Sequence, residues 1–600
     1  MFSQKYQQRL GSGSFIILLS LLLLIMLLLS TSVKAQQVDF VAYQVHLTPD
    51  LADQCIKGRV DIQFEVSQPG LTEISLAAIN KTIYSVKGVN VASHRIADDQ
   101  LLVQFDDKVL QPGQRYTLSV DYLATPKKGV KFYPDHLFTL YHTEQWLVSH
   151  EDIGDRAQIE MWLTLPRAMK AVANGILSEV TVKGEFAVHH WNETRQRPAF
   201  TFGFAAGYFN EKTFSHQGID FRYLYRSSSA VEIDLMFADV SSIYDYFSQI
   251  SGQPLAQKNY TYVVTEGRSM QEASGFSLIG RKYARHVLDE PRESWLISHE
   301  LAHEWWGNAV SAHSWSDFWL NEGLVQFLVA AFKAKQHGQD EYDREMVLFK
   351  ESIGRKLKKT AELNPVSPQK TLTFADFKQN YRGVAYSKGA FIFHMLKVEL
   401  GESLFWQGLQ RYTQSNWEST VTTQQLQQAF ESVAGRSLQH FFDTWVYQPQ
   451  SLKLTATVDY QPGLLSIDFG QAQAKPLNLH WWLAVDDGEQ TLIKKVTLNG
   501  RTGRFELALK NPPKGLWLDH YQYLPVMIET QGMEPYLEHN LFSRESALSR
   551  YWGLKGLIVS DYCQTEPQKI QQVFARLKKT DNNRIVAQAM NWWAQRCPLD

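Results

Sequence analysis

The chain has 600 residues and a mass of 69.0 kDa, more than one hydrophobic core can serve, so three or four domains are expected. Apolar residues make up 44% and charged residues 20% of it, a balance that excludes wholesale disorder and a multi-span membrane protein. Sixty Lys and Arg against 62 Asp and Glu give a net charge of −2, without the basic excess of a nucleic-acid binder.

Lys5 and Arg9 precede an apolar run from Phe15 to Leu29, and Val33-Lys34-Ala35 then offers small residues for cleavage. This is the layout of a secretory signal peptide over residues 1–35. The alternative is an uncleaved anchor through residues 10–29, just long enough against the roughly 20 residues that span a bilayer. Either way the body of the protein is exported, periplasmic or extracellular, and that anchor is its one expected membrane contact. Removing residues 1–35 takes three basic side chains and no acids, so the net charge moves from −2 to −5. Three cysteines, Cys55, Cys563 and Cys597, are too few for a disulfide scaffold. Cys563 and Cys597 lie close enough in sequence to be joined, leaving Cys55 unpaired; three unpaired buried thiols are the alternative.

From Gln36 to about Tyr208 the pattern is that of strands. Val60, Ile62, Phe64 and Val66 alternate with Arg59, Asp61, Gln63 and Glu65, the period-two signature of a half-buried strand. Gln68-Pro69-Gly70 and Gln111-Pro112-Gly113 punctuate similar runs as turns. From about Val231 to Tyr447 the period becomes helical, with Phe391–Leu400 and Thr423–Val433 amphipathic and Thr422 with Gln425 placed as a capping box. At Ser451 the period reverts to two: Leu452, Leu454, Ala456, Val458 and Tyr460 face one way. Asp487-Gly488 and Asn499-Gly500 read as hairpin turns. Residues 450–530 thus read as a small β-sandwich, and from Glu534 the spacing is helix-like again.

The chemistry is carried by SWLISHELAHEWWGNAVSAHSWSDFWLNEGL, beginning at Ser294. Pro291 suits the first turn of a helix. Within that helix His299 and His303 stand one turn apart, both imidazoles on one face and about 6 Å from each other. That spacing suits two zinc bonds of roughly 2.0–2.1 Å. Glu300 is rotated away from the metal yet reaches a water on it, where a carboxylate can accept the water's proton. Eighteen residues separate His303 from Glu322, enough for a loop and a returning helix to supply a third ligand and leave a fourth position open. Trp315, Phe318 and Trp319 crowd the approach to Glu322, an odd setting for a surface acid.

HELAHEWWGN, the eighteen-residue gap and WLNEG resemble the M1 family of zinc aminopeptidases, the gluzincin group. The resemblance extends to Gly58–Phe64, to Leu165-Pro166 through Asn174-Gly175, to Tyr386-Ser387-Lys388-Gly389-Ala390 and to Phe441-Phe442-Asp443-Thr444-Trp445, so it covers residues 38–530 in order. It implies a multidomain α+β fold. A β N-terminal domain (36–215) is followed by a thermolysin-like, mainly helical zinc catalytic domain (216–449), the β-sandwich (450–530) and a short helical C-terminal segment (531–600). It implies one Zn²⁺ per chain on His299, His303 and Glu322, Glu300 as general base and then acid, and peptide substrates. Tyr386 matches the family tyrosine that donates a hydrogen bond to the oxyanion, a role that a phenol protonated at pH 7 can fill.

The sequence departs from the family at two places. The family's GxMEN segment, whose Glu holds the substrate's amino group, corresponds to Gly267-Arg268-Ser269-Met270-Gln271-Glu272. Aligned on Met270, Gln271 takes the glutamate position, and an amide holds an ammonium less well than a carboxylate. For Glu272 to serve instead, a one-residue shift and hence a bulge is expected. The family's acid- and arginine-rich stretch with a substrate-contacting Gln is not recognisable in Tyr141–Glu160, where Gln145 is the nearest candidate. Glu304 is expected to face solvent. Asp317 reads either as a partner that orients a histidine or as a helix-start acid, and His313 as a loop residue. The resulting reading is an exported zinc metallopeptidase, an aminopeptidase. The altered segment leaves two alternatives: a peptidase of blocked or internal bonds, and a non-catalytic scaffold on the same fold. Oligomeric state stays open.

Overall fold

A computed structural model of the chain describes residues 38–106, 110–542, 547–559, 566–580 and 583–594. The leader, Cys563 and Cys597 lie outside the described residues, and Cys55 is a free, partly buried thiol.

The alternation at Val60, Ile62, Phe64 and Val66 becomes the strand Cys55–Val66, with all four side chains fully buried, each contributing about 1.5–3 kcal/mol. This strand lies in a seven-stranded sheet ordered Ile176–Lys183, Phe186–Pro198, Arg156–Pro166, Val38–Asp50, Cys55–Val66, Arg115–Ala124 and Lys81–Gly88. Its pairs are antiparallel except Val38–Asp50 beside Arg156–Pro166. A three-stranded and a four-stranded sheet complete the N-terminal β region.

A second sheet underlies the helical region, ordered Asn210–His216, Ile219–Tyr225, Asn259–Thr265, Phe276–Gly280 and Gln271–Ala273. The expected boundary at 215/216 therefore falls inside its first strand, because Asn210–His216 pairs as a hairpin with Ile219–Tyr225. Helices Trp295–Ala302, Trp319–His337, Gln339–Thr360 and Arg382–Leu400 follow. Pro291 does not open the first of them. The helix starts at Trp295, and Ser298 bonds back to the Ser294 carbonyl through both its N–H, at 3.0 Å, and its Oγ, at 2.7 Å. Proline instead holds Glu290 out of the helical region. The Thr422–Gln425 capping box forms as read, with the Thr422 N–H donating to Gln425 Oε1 at 2.9 Å.

The β-sandwich has one sheet of Thr502–Ala508, Leu464–Gln471, Leu454–Gln461 and Ile528–Gln531, and a second of Thr491–Asn499, Asn478–Asp486 and Gly515–Trp517. Leu452, Leu454, Ala456 and Val458 are buried while Lys453, Thr455, Thr457 and Asp459 are exposed. Asp487-Gly488 closes a hairpin, but Asn499-Gly500 does not. The strands on its two sides pair within different sheets, so this turn crosses the sandwich. Helices Glu534–Phe542, Ala547–Val559, Pro567–Thr580 and Arg584–Ala594 follow; the first packs on Gly515–Trp517, and Ala547–Val559 and Arg584–Ala594 pack on Gln339–Thr360. One continuous core takes in Ile153 and runs from Ile219 through the helical region and the sandwich to Met590, and a second fills the N-terminal β region and reaches the second sheet through Leu224, Val263, Phe276 and Leu278. No helix among the described residues is long and apolar enough to cross a membrane.

Two helices meet unusually closely. A Cβ built on Gly323 would lie 2.8 Å from the Ala385 carbonyl oxygen and 2.8 Å from Gly389 Cα, and one on Gly389 would lie 3.0 Å from Gly323 Cα. Helices Trp319–His337 and Arg382–Leu400 thus touch backbone to backbone, with no room for a side chain between them. Gly323→Ala is expected to force them apart at a cost of about 1–3 kcal/mol, seen as a lowered midpoint of thermal unfolding. An unchanged midpoint would show that the crossing tolerates a methyl group.

Candidate functional site

The strand Asn259–Thr265 seats the Trp295–Ala302 helix. Tyr260 Oη donates to the Glu300 carbonyl at 3.1 Å and Tyr262 Oη to the Ile297 carbonyl at 3.2 Å, so the helix cannot roll on the sheet. His303 is its terminal residue, and its Nδ1 faces the Trp306 carbonyl at 3.1 Å. This bond places the proton on Nδ1 and turns Nε2 inward. The two imidazoles are 4.6 Å apart between centroids, with their Nε2 atoms 3.1 Å apart. They are closer than helical spacing alone gives because both rings turn the same edge inward.

Glu322 arrives on the Trp319–His337 helix. The start of this helix is pinned twice: Asn321 Oδ1 accepts from the Ala312 N–H at 3.0 Å, and the Trp319 indole donates to Thr423 Oγ1 at 2.9 Å. Glu322 Oε2 lies 3.6 Å from each Nε2. A triangle of sides 3.1, 3.6 and 3.6 Å has a centre about 2.0 Å from each corner, the length of a zinc–nitrogen or zinc–oxygen bond. The three residues are 5%, 1% and 1% exposed, and Glu322 Oε2 is a buried oxygen with no hydrogen-bond donor. Burial pushes the His299 imidazole down to about 3, and lowers His303 as well, so both rings are neutral and able to ligate. The donor set fits a divalent metal ion.

The predicted acids gather around this triangle. Glu300 is buried, and burial raises its carboxyl well above the usual range, with Glu272 and Glu322 adding to the effect. Burial likewise raises Glu272 and Glu322; a bound dication would reverse these shifts. Tyr386, one turn before Gly389, brings its hydroxyl within hydrogen-bonding reach of Glu322, and burial holds it protonated. The Arg382 guanidinium lies over its ring at 5.6 Å.

The neighbouring pair Gln271 and Glu272 separates by strand alternation. Glu272 faces the cluster, while the Gln271 amide oxygen accepts from the backbone N–H of Tyr141 on the other side. Gln271 is therefore a tether and not a group aimed at the triangle of His299, His303 and Glu322. No bulge was needed: Gln271, Glu272 and Ala273 pair in unbroken register with Leu278, Ser277 and Phe276. The turn that follows is held from several directions. Gly275, at φ +88°, donates its N–H to Glu304 at 2.8 Å, and Arg197 Nε donates to Ser274 Oγ at 3.1 Å. Arg197 also bonds Glu418, with Nη2 to Oε1 at 3.0 Å.

Three other expectations change. Glu304 is buried, not solvated, because the helix ends before it and its side chain turns to Gly275 and to Asn308 Nδ2, at 2.9 Å. Asp317 bonds the Thr423 N–H and Oγ1, both at 2.8 Å, so it joins loops and orients no histidine. Gln145 accepts from Asn80 at 2.7 Å within the N-terminal β region and lies apart from the cluster. His313 is an exposed loop residue, as read.

Tyr141 has no motif to announce it. It comes from the N-terminal β region, and its hydroxyl donates to Glu272 Oε2 at 2.7 Å. Tyr141 and His142 both have positive φ, 25° and 59°, a conformation that bulky side chains adopt only where the surroundings enforce it. A cavity of about 160 Å³ opens beside Tyr141, Glu322 and Tyr386.

Residues 255–445 match the Peptidase family M1 domain. The glutamyl aminopeptidase of Bitis rhinoceros is 26% identical over 275 residues, 42% of this chain and 28% of that protein. Aminopeptidase M1-C of Oryza sativa subsp. japonica is 22% identical over 442 residues, 68% of this chain and 49% of that protein. The chain thus spans half or less of the length of these curated relatives. Among solved structures, Legionella pneumophila aminopeptidase A in complex with aspartic acid superposes with a TM-score of 0.78 at 14% identity, covering 94% of this chain and 71% of that one. At that identity the likeness is one of fold.

Metal analysis after equilibration and dialysis is expected to find about one divalent ion per chain, with a metal-dependent rise in melting temperature. His303→Ala and Glu322→Ala are expected to lose both. Retention of the ion in both variants would remove the triangle as its site.

Proposed function

We propose that the chain, whose residues 255–445 match the Peptidase family M1 domain, is a zinc-dependent aminopeptidase that removes N-terminal residues from peptides. The observation that carries this reading is the triangle of His299, His303 and Glu322, with Glu300 and Glu272 beside it. Its proposed place of work is outside the cytoplasm, on the strength of the charged and apolar N-terminal layout.

His299, His303 and Glu322 are the residues that would hold zinc, which when bound supplies the Lewis acidity that makes a water nucleophilic near neutral pH. The chain's own groups do the rest. Glu300 accepts the proton of the attacking water and returns it to the departing amine. Tyr386 donates its hydroxyl proton in a hydrogen bond to the oxyanion of the tetrahedral intermediate, and burial keeps that proton in place. Glu272 accepts the substrate's ammonium group, a charge-assisted contact about twice as strong as an amide could make. This carboxylate supports an exopeptidase over a peptidase of blocked bonds: a free amine satisfies the buried acid, whereas an acetylated one leaves it without a cation.

Glu300→Gln is expected to retain zinc and lose roughly 10²–10⁴-fold in turnover, and full activity in that variant would refute the base assignment. Tyr386→Phe is expected to lower kcat by about 10²–10³-fold with little change in KM. Free and N-acetylated forms of one peptide test the exopeptidase reading: cleavage of the free form alone is expected, and equal cleavage would overturn it.

A further inference from the structure

We propose that the cavity beside Tyr386 receives the side chain of the substrate's first residue and selects large apolar side chains, aromatic ones above all. This inference rests on the aminopeptidase reading and adds a substrate class to it.

The cavity, about 160 Å³, lies where the N-terminal β region meets the helical region. Engineered apolar cavities of about 150 Å³ admit benzene, so the space suits a phenyl ring. One wall is a continuous aromatic sheet. The Trp315 ring lies 4.9 Å from Phe318, 4.8 Å from Phe374 and 5.5 Å from Phe377, and Phe200 lies 5.7 Å from Phe318 in an edge-to-face arrangement. Another ring would enter such a wall by offset or edge-to-face packing.

The charged groups around the cavity do not add up to a site for an ionic side chain. They are of both signs, Glu144, Glu151 and Asp152 against Lys378 and Arg382. Glu144 faces His142 Nδ1 at 2.9 Å, and Asp152 accepts the Gly154 N–H at 2.8 Å. Lys378 lies 5.9 Å over the Phe374 ring, and Arg382 lies over Tyr386. A charged guest of either sign would shed its water to meet groups of its own sign as well as the opposite one.

Tyr141 decides which residue's side chain enters. Its hydroxyl touches Glu272 at 2.7 Å, and the same side chain lines the cavity. An ammonium held at Glu272 therefore sets its own Cα at the cavity mouth, and the first residue, not the second, points its side chain inside.

The test is a series of aminoacyl amides with Phe, Leu, Ala, Asp and Arg at the first position, and dipeptides varied at the second, on the zinc-loaded full chain and on Ala199→Phe, which places a ring in the cavity. For the wild type, kcat/KM for Phe is expected to exceed that for Ala by at least about tenfold, with weak dependence on the second residue. In Ala199→Phe that ratio is expected to collapse, with the melting temperature reporting that the variant folds. Preference for Arg or Asp, or selectivity set by the second residue, would overturn the pocket and leave the aminopeptidase standing. Absence of all hydrolysis would strike the proposed function instead, and the pocket would still be decided by ligand shifts. L-phenylalanine is expected to raise the melting temperature of the wild type more than L-alanine does at equal concentration, and equal shifts would overturn it.

Discussion

Where Gly323 and Gly389 meet, two helices come together without side chains between them. Glu322 adjoins one glycine and Tyr386 stands one turn before the other, so a backbone contact sets the separation of a carboxylate and a phenol. The third partner, the Trp295–Ala302 helix, is fixed independently, by two tyrosine hydroxyls reaching from the sheet below. The triangle of ligand atoms is therefore defined by backbone packing and by hydrogen bonds to main-chain carbonyls, neither of which leaves much freedom to a side chain.

The electrostatics follow from that packing. Three carboxyls, of Glu272, Glu300 and Glu322, are gathered out of water beside two imidazoles that burial keeps neutral. Such a group is costly unless positive charge joins it. A divalent ion at the triangle and an ammonium at Glu272 are the two cations that the proposed chemistry brings.

The sequence was most informative where local chemistry repeats a known period. The buried face of Cys55–Val66, the Thr422 cap and the spacing of His299, His303 and Glu322 could all be read because each depends on residues close in sequence or on a regular rise. It was least informative where distant segments meet. Glu304 read as solvated because helical phase was extended past the residue that ends the helix. The pair Gln271 and Glu272 could not be ordered without knowing which face of a three-residue strand looks at the metal ligands. Asn499-Gly500 has hairpin chemistry yet joins two sheets, since partner choice is made by strands far away. Tyr141 carries no signal at all; its positive φ and its contact with Glu272, 131 residues on, exist only in three dimensions.

Arg197 gives this arrangement a further meaning. It is fully buried in the strand Phe186–Pro198, yet it bonds Ser274, just beyond Glu272, and Glu418 far along the chain. The half of the centre proposed to hydrolyse lies within residues 255–445, which match the M1 domain, but the half proposed to find a peptide's end is assembled across a joint. A graft of the helical segment alone would carry scissors without a ruler. On the proposed function, whatever loosens the seam between the two regions would blur the choice of bond before it stops hydrolysis.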